Sequence, residues 1–107
     1  MGRAVPAHTA TALLAGAALV AAAGEGAHTV TIDGVQYGPA QLTVRTGERV
    51  VWVNKDPFPH TVTADHKAFD SGSIAANGSW TFIARKPGAY AYHCTFHPTM
   101  TGLLTVK

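Results

Sequence analysis

One cysteine, Cys94, in a chain of 107 residues leaves no partner for an internal disulfide. Methionine is nearly as scarce, at Met1 and Met100, so the repeated Met clusters expected of a protein that carries or stores metal ions are missing. Charged residues are 13% of the chain and the formal net charge is +2. With no basic patch, that balance gives no electrostatic case for nucleic acid. No stretch reads as a long amphipathic helix, and there is no internal repeat, low-complexity segment or second domain. The one apolar run near the start, Leu13 to Val20, is short of the roughly 20 residues that span a bilayer, and no stop-transfer pattern follows it.

That run has a different reading. Met1-Gly2-Arg3 precedes it and Ala21-Ala22-Ala23 follows as a small-residue cleavage site, which is the plan of a secretory signal peptide over residues 1–23. The alternative is an uncleaved membrane anchor. Cleavage after Ala23 leaves a domain over residues 24–107 carrying Arg45, Arg49, Lys55, Lys67, Arg85, Lys86 and Lys107 against six acids. This near-neutral, exported or periplasmic chain is expected to be a monomer, without stable membrane insertion, and to meet partners through local shape and apolar contact rather than long-range steering. Export also sharpens the question of Cys94, since a free thiol in an oxidising compartment is open to oxidation or exchange. A buried, inert cysteine is one answer. Metal ligation is another.

The second answer draws on what surrounds Cys94. The run Cys94-Thr95-Phe96-His97-Pro98-Thr99-Met100 places an imidazole and a thioether at short spacing after the thiol, and His60 stands upstream. One thiolate, two imidazoles and one thioether suit copper in either oxidation state, whereas magnesium, calcium or manganese would want oxygen ligands. Convergence of His97 and Met100 with Cys94 requires the segment to leave a strand and curl into a tight loop, helped by Pro98, which fixes φ and lacks a backbone donor. The candidate metal ligands are therefore His60, Cys94, His97 and Met100, for one type 1 copper per chain. His28, His66 and His93 lack ligand spacing, and His93 should face away from Cys94 because strand side chains alternate.

The rest of the domain reads as short strands and turns. Thr29–Ile32, Gln41–Arg45 and Ser79–Ile83 are alternating or rich in β-branched and aromatic residues, while Arg49–Val53 is apolar on both faces, as a central strand would be. Asp33-Gly34, Tyr37-Gly38-Pro39, Thr46-Gly47-Glu48, Asn77-Gly78 and Lys86-Pro87-Gly88 carry turn chemistry. Two late strands, Ala89–Cys94 and Gly102–Val106, frame the candidate site. Several short strands at regular spacing indicate an all-β sandwich or barrel. A domain this small has a modest core, to which Trp52 and Trp80 are expected to contribute.

Asn54-Lys55-Asp56-Pro57-Phe58-Pro59-His60, followed by Tyr92 to Met100, resembles the cupredoxins, most closely their amicyanin and plastocyanin branch. The similarity runs from Thr29 to Val106; Phe69-Asp70-Ser71-Gly72 is its weaker part and also fits an ordinary Asx turn. The resemblance implies a Greek-key β-sandwich with a type 1 copper near one end, shuttling single electrons between redox proteins. It also implies that His60, Cys94 and His97 are the strong ligands, that Met100 is axial, and that Asn54 braces the two ligand-bearing loops. Thr61 departs from the family, which usually has Asn there; this weakens the case for side-chain bracing at Thr61, although its N–H can still reach the Cys94 sulfur. Phe96 stands where amicyanin has proline, and supplies an N–H toward the same sulfur.

Phe58, Pro59, Phe96 and Pro98 are expected to surround the exposed edge of His97 as a small apolar docking face; the competing reading of Phe58 and Phe96 is core packing. Zinc is a poorer fit, because Met is a weak zinc ligand. An enzyme using Cys94 as nucleophile lacks an orienting third group. An exported copper carrier or storage protein stays open as the alternative to electron transfer.

Overall fold

The computed structural model describes residues 26–107. The expected signal segment, 1–23, lies outside them. Within the described residues every regular element is a strand: β1 Ala27–Ile32, β2 Tyr37–Gly38, β3 Gln41–Val44, β4 Arg49–Asn54, β5 Thr63–Ala64, β6 Ser79–Ile83, β7 Gly88–Cys94 and β8 His97–Val106. They form two four-stranded sheets, ordered β2-β1-β4-β6 and β3-β8-β7-β5. This is the all-β sandwich that the strand pattern predicts.

Alternation decides which side chains meet between the sheets. Val50, Trp52 and Asn54 of β4 are buried while Val51 and Val53 are only partly covered, as a period-2 backbone requires. Across the core, Val30, Ile32, Val50 and Trp52 oppose Val44, Tyr92, Leu104 and Val106. Trp52 is fully enclosed, stacks at a tilt on Trp80 with centroids 5.5 Å apart, and donates its indole N–H to the Tyr92 hydroxyl at 3.3 Å. Trp80 is only partly buried. Tyr92 faces Gly102 across the β7–β8 ladder, and its ring occupies the space a Cβ at Gly102 would need. Any larger residue at 102 would push Tyr92 off the core.

One expected turn is a strand. Tyr37–Gly38 pairs with β1 as an edge strand, because burial of the Tyr37 ring edge-on against Tyr92, at 4.8 Å, draws the segment onto the sheet. Pro39 follows through a cis peptide. The remaining turn chemistry is used as written: Asn77 takes φ 65° before Gly78, and the Gly72 N–H closes an Asx turn on Asp70 Oδ1 at 2.9 Å. Among the described residues, no helix is long and apolar enough to cross a membrane.

Candidate metal centre

His60 arrives on the segment that leaves β4. Asn54, buried at the strand end, donates its side-chain N–H groups to the carbonyls of Phe58 (2.9 Å), Ile74 (3.0 Å) and Ala75 (3.3 Å), and its Oδ1 accepts the Asp56 N–H at 2.9 Å. His60 then forms a reciprocal backbone bridge with Ile74, N–H to carbonyl at 3.1 and 2.8 Å. Its ring is completely buried, with Nε2 2.7 Å from Asp56 Oδ2.

Cys94 and His97 come from the opposite sheet. The β7–β8 ladder pairs His93 with Thr101 and Cys94 with His97, so Pro98, Thr99 and Met100 have no ladder partner. His97 is thus the first residue of β8, after a two-residue turn at Thr95-Phe96, rather than a loop residue as expected from the spacing. The predicted curl exists, but as a bulge just past His97. A bulge re-aims side chains that strict alternation would send to opposite faces, and proline suits it because no N–H is missed there. Met100 is buried at the end of this bulge, in the core.

The result is a cluster in which the ligand atoms of His60, Cys94 and His97 all lie within 4.8 Å of one another. Both imidazoles turn Nδ1 toward the Cys94 sulfur, at 3.6 Å from His60 and 3.9 Å from His97. The Thr61 N–H donates to the same sulfur at 3.3 Å. Burial pushes the thiol upward, but the Thr61 N–H, then His97, His60 and lastly the Phe96 N–H outweigh it and pull Cys94 from 9.0 down to about 6. Only the Thr61 N–H among the two amides has hydrogen-bond geometry to Sγ. For Asp56, burial again works upward and is overcome by the Val35 and Gly34 N–H groups and by His60, so its carboxyl stays below the ordinary value. Tyr37 goes the other way: its burial, with Cys94 and Tyr92 nearby, holds the phenol well above its usual range. A thiolate and two imidazole nitrogens in one enclosed spot form a soft, mixed donor set that fits copper.

The surroundings correct two expectations. Asn54 braces the His60 segment to the Ile74–Ala75 segment and does not reach the Cys94 side. That link is made by Thr61, whose hydroxyl accepts the Thr95 N–H at 2.9 Å and meets the Thr95 hydroxyl at 3.3 Å, beside its own N–H bond to sulfur. A threonine in place of the family's asparagine therefore supplies side-chain bracing after all. Asp56 was missed altogether; its signal in the sequence is an acid four residues before a candidate ligand histidine.

Around His97 the surface is apolar. Phe58, Pro59, Phe96 and His97 line one shallow depression, with Phe58 40% and Phe96 52% exposed, which removes the core-packing reading of both phenylalanines. Pro98 lies elsewhere, beside Asp65, His93 and Thr101. Of the other histidines, His28 pairs with Glu48 at 3.0 Å, His93 with Asp65 at 2.7 Å, and His66 is exposed. None joins the cluster.

Comparison with known proteins points the same way. The sequence model of the Cupredoxin-like domain family matches residues 6–106. Amicyanin-alpha of Methylorubrum extorquens is 31% identical over 111 aligned positions, covering 97% of this chain and 93% of that one. Amicyanin of Paracoccus denitrificans is 30% identical over 88 positions, covering 78% of this chain and 67% of the relative. Among solved structures, the oxidised state of an amicyanin point mutant superposes with a TM-score of 0.71 at 30% identity, covering 77% of this chain and 83% of the other.

Proposed function

This chain belongs to the cupredoxin-like domain family, and we propose that it is a small electron-transfer protein whose one copper would be held by His60, Cys94 and His97, with Met100 as a fourth, weaker donor. The observation that carries the reading is the enclosed cluster of one sulfur and two Nδ1 atoms, with the thiol already acidified to about 6. Copper bound there supplies reversible exchange of a single electron.

The side chains account for the rest. Cys94 gives up its proton near neutral pH because Thr61 and the two imidazoles stabilise the thiolate. The two sheets exclude water from Cys94 and His60, both fully buried, and hydrogen bonds fix their positions, so little rearrangement accompanies a change of charge. His97 alone reaches the surface, and the apolar ring of Phe58, Pro59 and Phe96 around it is the docking face for redox proteins. Such encounters are small, below about 1,200 Å², and brief.

The protein acts as a carrier rather than an enzyme: a cysteine with no exposed surface cannot attack a substrate. It works as a monomer, exported to the periplasm or an equivalent compartment by the segment 1–23, where metal ligation protects its one thiol. Coulometric titration of the copper-loaded protein tests the reading. One copper and one reversibly exchanged electron per chain are expected; copper that binds but cannot be cycled would favour a storage role.

A further inference from the structure

Beyond the three-residue cluster, His60 makes a buried polar contact to Asp56. His60 has no exposed surface and Asp56 only 6%. Asp56 Oδ2 lies 2.7 Å from His60 Nε2 and accepts the Val35 N–H at 2.9 Å, while Oδ1 accepts the Gly34 N–H at 2.7 Å. Successive N–H groups of Gly34 and Val35 form a small anion-binding nest, with φ of 63° and 58°. Positive φ is ordinary for glycine and unfavourable for a β-branched residue, by roughly 1–3 kcal/mol. The carboxylate that both N–H groups grip is what holds Val35 there. The β1–β2 turn is thus tied through one carboxylate to the buried imidazole.

We infer that Asp56 is the positioning residue of the metal site: clamped by the Gly34-Val35 turn, it keeps the proton of His60 on Nε2 and reserves Nδ1 for the metal. A carboxylate already accepting two backbone N–H groups can only accept from the ring, so Nε2 is the donor. Nδ1, 3.6 Å from the Cys94 sulfur, is then the nitrogen that points into the cluster. A charged acceptor behind an imidazole raises its donor strength, and loss of such a partner typically costs 10- to 100-fold in metal affinity. The stronger donor favours Cu(II) over Cu(I). His97 has no comparable carboxylate partner among the described contacts, so the two imidazoles are not equivalent ligands.

This inference rests on the reading of His60 as a copper ligand, and the first measurement is independent of it. Ring nitrogen NMR of the metal-free protein should show the neutral His60 ring carrying its one proton on Nε2; a neutral ring with its proton on Nδ1 would overturn the proposal. Asp56→Asn should then lower Cu(II) affinity about tenfold or more and raise the reduction potential, where each tenfold change in the Cu(II)-to-Cu(I) affinity ratio corresponds to about 59 mV. Asp56→Glu, which restores the charge, should recover part of both. Unchanged affinity and potential in a folded Asp56→Asn protein would contradict it. If Asp56→Asn does not fold, the metal-free ring spectrum of the native chain decides alone.

Discussion

His60 and His97 have ring centroids 5.2 Å apart, yet they live in opposite surroundings. His60 is fully buried, bridged through its backbone to Ile74 and through its ring to Asp56. His97 is half-buried, next to a two-residue turn, and bordered by exposed Phe58 and Phe96. Hydrogen bonds and burial are concentrated on the His60 side of the cluster, which suits the fixed geometry of the proposed metal ligand. Apolar exposure is concentrated on the His97 side, which suits the proposed docking of a redox partner.

The largest effect that could break this contrast is on stability. His60→Ala leaves a cavity and a buried Asp56 carboxylate without its ring partner, at a cost of about 3 kcal/mol to the metal-free protein. His97→Ala should cost less than about 1 kcal/mol. Urea unfolding of both variants checks this, and equal losses would erase the distinction.

Next comes the thiol between them. Cys94 ionises at about 6 in the fold against an ordinary 9.0. A group acidified by folding stabilises the folded state fully above the unfolded value, where both states are ionised. As pH falls toward 6 the unfolded chain takes up the proton first, and the stabilisation is lost. Metal-free protein should therefore be roughly 3 kcal/mol more stable near pH 9 than near pH 6. Cys94→Ser should flatten this slope.

The exposed side is tested by kinetics. Phe58→Lys or Phe96→Lys places charge beside His97 and should slow electron self-exchange about tenfold, roughly 1.4 kcal/mol, with the visible spectrum unchanged. Pro98→Lys, on the neighbouring surface with Asp65 and His93, should do less. Line broadening in mixtures of oxidised and reduced protein gives the rates. The smallest effect concerns the Phe96 N–H, the weakest of the influences that lower Cys94. Phe96→Pro removes it and should lower the reduction potential slightly, because less charge is withdrawn from the sulfur. An equal or higher potential in a redox titration would show that the amide has no such role.

How far the sequence was legible follows from the same contrast. Strands such as Ser79–Ile83 and Arg49–Asn54 announce themselves, since alternating apolar residues can bury themselves only one way. The donor spacing after Cys94 was legible for a similar reason: few chemistries need Cys, His and Met so close together. What stayed hidden depends on contacts distant in sequence. The grip of Gly34 and Val35 on Asp56 joins residues more than twenty apart, and the Thr61 hydroxyl finds Thr95 only once two sheets have packed. Tyr37–Gly38 read as a turn because Gly and Pro dominate local propensity, while the buried ring that makes it a strand is a tertiary effect.

The central claim is that the Cys94 thiolate and the two imidazoles bind copper together. Adding one equivalent of Cu(II) to the metal-free protein and recording the visible absorption spectrum tests it most directly. An intense blue thiolate-to-copper band that disappears in Cys94→Ser is the predicted result. A native protein that binds Cu(II) yet stays colourless, or a band that survives the serine substitution, would contradict the account.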